Sequence, residues 1–419
     1  MSDGARADLS ADTVRAEVAQ WIENNWNPDM PLGRWRELLA DSGWACPTWP
    51  RQWCGRSLSG PLGRVVAEEL KRAVVPGSPE GVGMMLVAPV LLEHGSDELK
   101  QRFIRRTVTG EITWCQLFSE PGAGSDLAGL QSRATQDGDS WLLTGQKVWS
   151  TGAATADFGL LLARTNADVP KHQGITAFVL PMRQPGVQVR PLRQMNGHSS
   201  FNEVFFDAAR IPAGHVIGEP GGGWLVARTT LAHERRLAAF PPPPRAPGGR
   251  AWREAIAERT AAAEPHKWYP QRAGRPDLVI PQAQALGRSR EPVVRQEIAR
   301  LIELAWSARW MAAILAAAAA RIAGQRPGAE GSLGKLASSR IARQAARVHA
   351  LIAGAAGMLA GPEALLGGTI AEIGVSVPAI SIAGGTDEIQ RTIIAERILG
   401  LPREPDVSAG VPFREVRAG

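Results

Sequence analysis

A three-part α+β chain, helices first, a β-strand domain next and a helix bundle last, follows from three features of the sequence. Apolar residues recur at helical spacing from residue 11 to about 109; short β-prone runs separated by turn chemistry fill 112–207; and Ala- and Leu-rich helical stretches return after Gly221-Gly222-Gly223. The expected division is an N-terminal α-helical domain over 1–111, a central β barrel or sandwich over 112–220, and a C-terminal helical bundle over 221–419 with an irregular insertion at 240–292. At 419 residues the chain is long enough for two or three cores.

In the first part, amphipathic patterns place helices at 11–24, 32–42, 61–74 and 97–108. Ser96 can cap the last of these, with Asp97 and Glu98 where the helix dipole favours negative charge. The texture changes at Glu111. The β-rich runs are 112–118, 129–135, 140–148, 157–164, 174–181, 187–193 and 201–207, with turns such as Asp137-Gly138-Asp139 between them. Their spacing predicts a compact antiparallel sandwich or barrel. Helices are expected again at 224–238, 293–323, 334–360 and 387–399, and their short connections fit a bundle. Prolines at 241–244, 247, 265, 270, 276, 281 and 292 rule out one long helix, so 240–292 reads as an irregular excursion on that bundle.

Composition narrows the function. Hydrophobic content of 44% and charged content of 21% are those of an ordinary globular chain. The formal charge is +6, but the arginines are scattered and Tyr269 is the only tyrosine available for stacking. That argues against a nucleic-acid adaptor and leaves a general attraction for acidic ligands. Cys46, Cys54 and Cys115 form no CxxC pair and suit a reducing, cytoplasmic compartment. Cys115, in an apolar run, is expected to behave as a small hydrophobe. The first residues, with Asp3, Arg6, Asp8 and Asp12, lack the apolar core of a signal peptide. The longest uncharged apolar run, 310–320, is eleven residues, short of the roughly 18 needed to span a bilayer. No membrane anchor is expected, and the scattered histidines show no metal spacing.

Chemistry concentrates at two strand ends and one helix start. Residues 114–126 read Trp-Cys-Gln-Leu-Phe-Ser-Glu-Pro-Gly-Ala-Gly-Ser-Asp, a β-prone run entering a Gly-rich turn that brings backbone N–H groups near a ligand. Residues 145–152, Gly-Gln-Lys-Val-Trp-Ser-Thr-Gly, repeat the theme with an indole broad enough to cover an aromatic cofactor. Gly384-Gly385-Thr386 opens a helix whose free N–H groups and dipole suit a pyrophosphate, though taken alone it reads rather as a plain loop with Thr386 as N-cap. Taken alone, Trp149 would be a core residue, Thr151 a strand-end capper and Ser125 a turn or N-cap residue.

In residue kind, order and spacing, these segments resemble the flavin-contacting motifs of the acyl-CoA dehydrogenase family. The resemblance extends to His94-Gly95-Ser96, to Phe201-Asn202-Glu203-Val204-Phe205 and to the stretch 384–391, and it covers most of the chain except roughly 237–294. It implies bound FAD: the Gln116, Leu117 and Phe118 backbone with Ser119 on the pyrimidine side, Trp149 against the ring, Thr151 at its N5 edge, Ser150 beside them as a cofactor contact, and Gly385, Thr386 and Glu388 at the helix start. It offers Ser125 to the CoA portion of the substrate. The family's Arg-x-x-Phe-Gly motif for the adenylate half has no match in 240–292.

The implied reaction is α,β-dehydrogenation of an acyl-CoA thioester to the trans-2-enoyl thioester, with electrons passed to an electron-transfer flavoprotein. A homo- or hetero-oligomer, dimer or tetramer, is implied as well. Many family members carry the catalytic glutamate at the position that here is Gly384, which has no proton acceptor. Others carry it in a Glu-Arg pair on the first bundle helix, matched here by Glu234-Arg235. Glu234 shares a helical stripe with Ala227, Leu231 and Ala238, so it faces apolar surface, where desolvation makes a carboxylate a stronger base. Arg235 would orient the thioester or balance the charge. His233, a turn of about 100° away on the helix, is assigned no chemical role. Two rivals remain: a non-catalytic partner subunit, for which Gly384 speaks, and a flavin oxidase or monooxygenase on the same fold.

Overall fold

The computed structural model describes residues 9–234, 247–321, 329–405 and 408–416, with the backbone alone over 316–321. Five helices come first: α1 (Ala11–Asn25), α2 (Leu32–Ser42), α3 (Gly60–Arg72), α4 (Ala88–His94) and α5 (Asp97–Thr109). α1 starts at Ser10, whose Oγ accepts the Thr13 N–H, and it buries Val14, Val18 and Ile22 at four-residue spacing. The Ser96 cap on α5 forms as expected, accepting the Leu99 N–H at 3.3 Å. α4 and the π-turn before it were not among the expected helices. Leu86, Val87, Ala88, Val90 and Leu91 are all buried there, so no polar face reveals the helical period.

Eight strands follow: β1 (Trp114–Leu117), β2 (Arg133–Asp137), β3 (Ser140–Lys147), β4 (Phe158–Arg164), β5 (Ile175–Pro181), β6 (Val187–Leu192), β7 (Phe201–Pro212) and β8 (Val216–Ile217). They make one sheet, ordered β6-β7-β3-β2-β4-β5-β8, with β1 added beside β4. The sheet is not wholly antiparallel. β1 runs parallel to β4, with Trp114 opposite Phe158, and β2 meets β4 in parallel at Arg133 and Arg164. The cause is connection length: the chain between β1 and β4 is a long crossover that itself holds the β2–β3 hairpin, and a crossover permits parallel pairing where a tight turn does not.

Nor does the sheet close into a barrel. It curls, so that Leu143, Val204, Phe206 and Ile211 meet Leu161, Phe178 and Leu180 in a sandwich-like core. Alternate residues of β4 and β5 face the other way. Leu160, Leu162, Ile175, Ala177 and Val179 pack with Leu91, Phe103 and Ile104 of α4 and α5. Two strands buried on both faces explain why 158–181 reads as nearly continuous apolar runs.

The last part holds α6 (Gly223–Glu234), α7 (Arg250–Ala263), α8 (Tyr269–Arg272), α9 (Pro276–Ala285), α10 (Pro292–Arg321), α11 (Gly331–Ala353), α12 (Thr369–Ser376) and α13 (Asp387–Arg397). The excursion is therefore not irregular throughout: its prolines divide it into the short helices α7, α8 and α9. Nor does it sit only on the bundle, for α7 docks on the first domain. The Arg36 guanidinium donates to both Glu258 oxygens at 2.6 and 3.0 Å, the Leu32 N–H donates to Glu254, and Trp252 Nε1 donates to the Val74 carbonyl. Among the described residues no helix is long and apolar enough to cross a membrane.

Candidate functional site

β1 delivers Gln116 and Leu117 to its end, and the chain then turns through 118–126. The turn is closed by Glu120 and Ala123, each N–H donating to the other's carbonyl. The Glu120 side chain is buried and accepts the Gln131 N–H at 2.6 Å, the Ser132 N–H at 2.9 Å and Lys147 Nζ at 2.7 Å. Lys147 ends β3, is fully buried, and donates also to the Phe118 carbonyl at 2.9 Å. Burial pushes the Glu120 carboxyl up, but the Lys147 charge and the hydrogen bonds outweigh it and hold the group below the usual carboxylate range. Burial takes the Lys147 ammonium down to about 8 against the pull of Glu120. Gly145 lets β3 pass this close: its φ is 144°, and a Cβ there would stand 2.5 Å from Ser132 Oγ.

The next residues hold the indole. The Val148 N–H donates to the Ser119 carbonyl at 2.9 Å, and the Ser150 N–H donates to the Asn202 carbonyl while Asn202 Nδ2 donates back to the Ser150 carbonyl. Between these ties Trp149 takes φ 64°, a left-handed conformation rare for a bulky residue. The residue is 55% exposed and its indole is set edge-on to Phe201, so Trp149 is not a core residue. Ser150 Oγ is buried with no hydrogen-bond partner. Ser125 is exposed and caps nothing: Asp126 precedes the short helical turn that follows and pairs with Lys171.

α6 brings Glu234 to this edge from the other side. Ala227 is buried and Leu231 packs on the central core, and at the end of the helix Gln116 Nε2 donates to Glu234 Oε2 at 3.4 Å. Ala238 and Arg235 lie outside the described residues. α8, which no sequence pattern marked, stands beside Glu234. Burial pushes the Tyr269 phenol up, Arg272 pulls it down, and the Glu234 charge adds to the rise. The adjoining Trp268 is buried and packs on Phe201, which in turn packs on Trp149. Trp149, Phe201, Trp268 and Tyr269 thus form one aromatic wall, and Glu234, held by Gln116, lies close enough for its charge to act on Tyr269.

The third motif lies across α11. Thr386 caps α13, its Oγ1 accepting the Ile389 N–H at 3.2 Å, and Gly384 and Gly385 adopt φ 67° and 84°. Asp387 is buried against Ser339 Oγ at 2.8 Å, with Lys335 at 3.4 Å and Arg343 at 3.2 Å. Glu388 is exposed and pairs with Arg391. Among the described residues no hydrogen bond or ion pair runs from 384–388 to 116–119 or 149–151. Cys46, Cys54 and Cys115 are free thiols, and burial takes Cys115 up to about 12, which suits an inert core residue.

Two features escaped the sequence reading. Glu120 and Lys147 both lie inside motifs singled out for other residues, and the signal was an opposite charge in each of two otherwise apolar strand ends. Tyr269 and Trp268 carried none, because only folding brings the excursion back to the wall.

A helical layer, a curled sheet flanked by α5 and α6, and a second helical layer, with two Gly-rich turns meeting at one edge of the sheet, define a three-domain flavoprotein-type dehydrogenase architecture. The chain belongs to the acyl-CoA dehydrogenase family: the family models for its N-terminal, middle and C-terminal domains match residues 5–111, 115–209 and 281–399. Members named as acyl-CoA dehydrogenases are FAD-dependent oxidoreductases. Acyl-CoA dehydrogenase FadE34 of Mycobacterium tuberculosis is 39% identical over 400 residues; the match covers 96% of this chain, which spans only 49% of that protein. Acyl-CoA dehydrogenase IpdE1 of Mycolicibacterium smegmatis is 33% identical, with 94% of this chain and 99% of that one covered. Among solved structures, the Tcur3481-Tcur3483 steroid ACAD aligns with a TM-score of 0.64 at 27% identity, over 95% of this chain and 99% of that one. The ChsE4-ChsE5 complex from Mycobacterium tuberculosis aligns with a TM-score of 0.64 at 26% identity, over 96% and 100%.

Proposed function

We propose that this chain binds FAD and dehydrogenates an acyl-CoA thioester to its trans-2-enoyl form, with Glu234 as the base. The observation that carries the reading is the placement of Glu234 at the end of α6, in contact with Gln116 on the strand that leads into the first Gly-rich turn. The residues present fit the cofactor. An exposed indole on a left-handed residue and the unpartnered Ser150 Oγ suit a polar aromatic ring, and Gly122, Gly124 and Gly384 leave open space where a Cβ would stand. The backbone of Gln116, Leu117 and Phe118 with Ser119 would hold the pyrimidine side, and Trp149, Ser150 and Thr151 the ring. Gly385, Thr386 and Glu388 would take the diphosphate side.

FAD, when bound, accepts the hydride that leaves the β carbon. The chain's own work is the proton. Glu234 takes it from the α carbon, Gln116 steadies the carboxylate, and the wall of Trp149, Phe201 and Trp268 keeps water out. Ser125 and Arg235 would meet the substrate's thioester and CoA portion. Electrons would pass to an electron-transfer flavoprotein, in the cytoplasm, and the three parts would divide at 1–111, 112–220 and 221–419.

Anaerobic titration of the purified yellow protein with a panel of acyl-CoAs tests this. Bleaching identifies the reaction and the preferred chain together. Glu234→Gln should keep FAD and bind acyl-CoA yet bleach more slowly by about 10² or more; near-normal bleaching removes Glu234 as the base.

A second reading has its own support. Gly384 offers no base, and the similar Tcur3481-Tcur3483 steroid ACAD and ChsE4-ChsE5 complex are each named for two proteins. The chain would then be one subunit of a heteromer rather than a homotetramer, and flavin bleaching would appear only when a second chain is added.

A further inference from the structure

We infer that Lys147 is a positioning residue for the flavin-facing edge: its buried ammonium ties β3 to the 118–120 turn and so aims the Ser119 N–H and the Trp149 indole. The inference rests on the FAD reading above.

The geometry begins with a fully buried lysine whose Nζ has two acceptors, the Phe118 carbonyl at 2.9 Å and Glu120 Oε1 at 2.7 Å. In a trans peptide the carbonyl of one residue and the N–H of the next point in opposite directions. Holding the Phe118 carbonyl inward on Lys147 therefore turns the Ser119 N–H away from the lysine. One bond further, the Ser119 carbonyl is taken by the Val148 N–H, which closes a small ring of Lys147, Val148, Ser119 and Phe118.

The same ring holds one end of Trp149. Ahead of it stand Lys147 and Val148, tied to 118–120; behind it stands Ser150, tied in both directions to Asn202. A chain pinned on both sides of a single residue leaves that residue to absorb the mismatch, and Trp149 does so at φ 64°. Release of either pin lets the backbone relax towards the ordinary β or α region and swings the indole off the edge. Glu120 does not duplicate the lysine. Its second partners are the Gln131 and Ser132 N–H groups, so it fastens the far end of the loop, while Lys147 is the side chain among the described residues that donates to the Phe118 carbonyl. An apolar side chain would fill the slot with no charge to desolvate, but it could not hold that carbonyl.

The test compares wild type with Glu120→Gln/Lys147→Met, which removes both charges and leaves neither uncompensated. Hydrogen exchange of 117–121 and 147–152 in flavin-free protein should quicken by about tenfold, while distant β5 amides do not change. FAD should bind about tenfold more weakly, with a shifted absorption spectrum. A double variant with wild-type exchange in both segments and wild-type FAD affinity overturns the inference and makes Lys147 a space-filler. Should that variant not fold, Glu120→Gln/Lys147→Leu, likewise uncharged and without a donor for the Phe118 carbonyl, is read by the same two measurements, with unchanged values again overturning the inference. Wild-type protein that takes up no FAD at all sinks the functional reading instead, and the exchange comparison still decides whether Lys147 orders this edge.

Discussion

Two buried carboxylates sit beside Gly-rich turns in this molecule, and they are held differently. Glu120, beside the 118–126 turn, meets two backbone N–H groups and a lysine with no exposed surface. Asp387, at the start of α13, meets Ser339 and two cations whose side chains are 18% and 49% exposed. The first ion pair is dry and the second is wetted. A dry pair loses its hydration on both sides and depends on each member for the other's charge, whereas a wetted one shares the work with water. The β edge of the site is thus built to be rigid, and the α13 turn is built to tolerate change.

The largest expected effect breaks the dry pair. Lys147→Met alone strands the Glu120 carboxylate and should cost about 3–5 kcal/mol in urea unfolding; a loss like that of an ordinary surface pair would show that water reaches the site. The effect next in size is kinetic: Glu234→Gln should slow flavin bleaching by about 10² without a matching loss of stability. On the wetted side, Thr386→Ala removes a cap and should cost about 1 kcal/mol. Lys335→Met should cost no more than about 1 kcal/mol, because Ser339 and Arg343 remain on Asp387. If Lys335→Met proved as damaging as Lys147→Met, the contrast between the two carboxylates would collapse. Smallest is Cys115→Ala, which should keep most turnover, since a thiol taken up to about 12 by burial is neutral at working pH.

Acid sharpens the same contrast. The Glu120 carboxyl lies below its ordinary value of 4.5 in the folded chain. Its contribution is therefore complete above about 4.5 and is lost as pH falls through the folded value, where the native state must take up a proton. Stability of wild type relative to Glu120→Gln/Lys147→Met, which has no titrating group at either position, should be constant from neutrality down to about that point and shrink below it, measured as the difference in urea midpoints. A difference that grew on acidification would reverse the sign and refute the assignment.

Local causes made much of this molecule readable. Helical period marked α1, α2, α3 and α5 because each keeps a polar face, and the Ser96 and Thr386 caps are short-range chemistry that needs no tertiary partner. α4 stayed hidden because burial on all sides erases the period, and the parallel register of β1 with β4 stayed hidden because a strand's direction depends on where a long crossover returns. The motifs 114–126 and 145–152 were legible as turns at strand ends.

By itself, the sequence determined the order of helices, strands and helices, the two turns at the strand ends, and the absence of a carboxylate at Gly384, for these depend on neighbours in the chain. Only the tertiary structure decided that Glu234 touches Gln116, that Trp149 stands exposed on a left-handed residue, that Lys147 is buried on Phe118 and Glu120, and that Trp268 packs on Phe201. Those contacts join residues far apart in sequence, and their existence turns on the burial and desolvation that packing imposes, quantities that no local pattern of residues encodes.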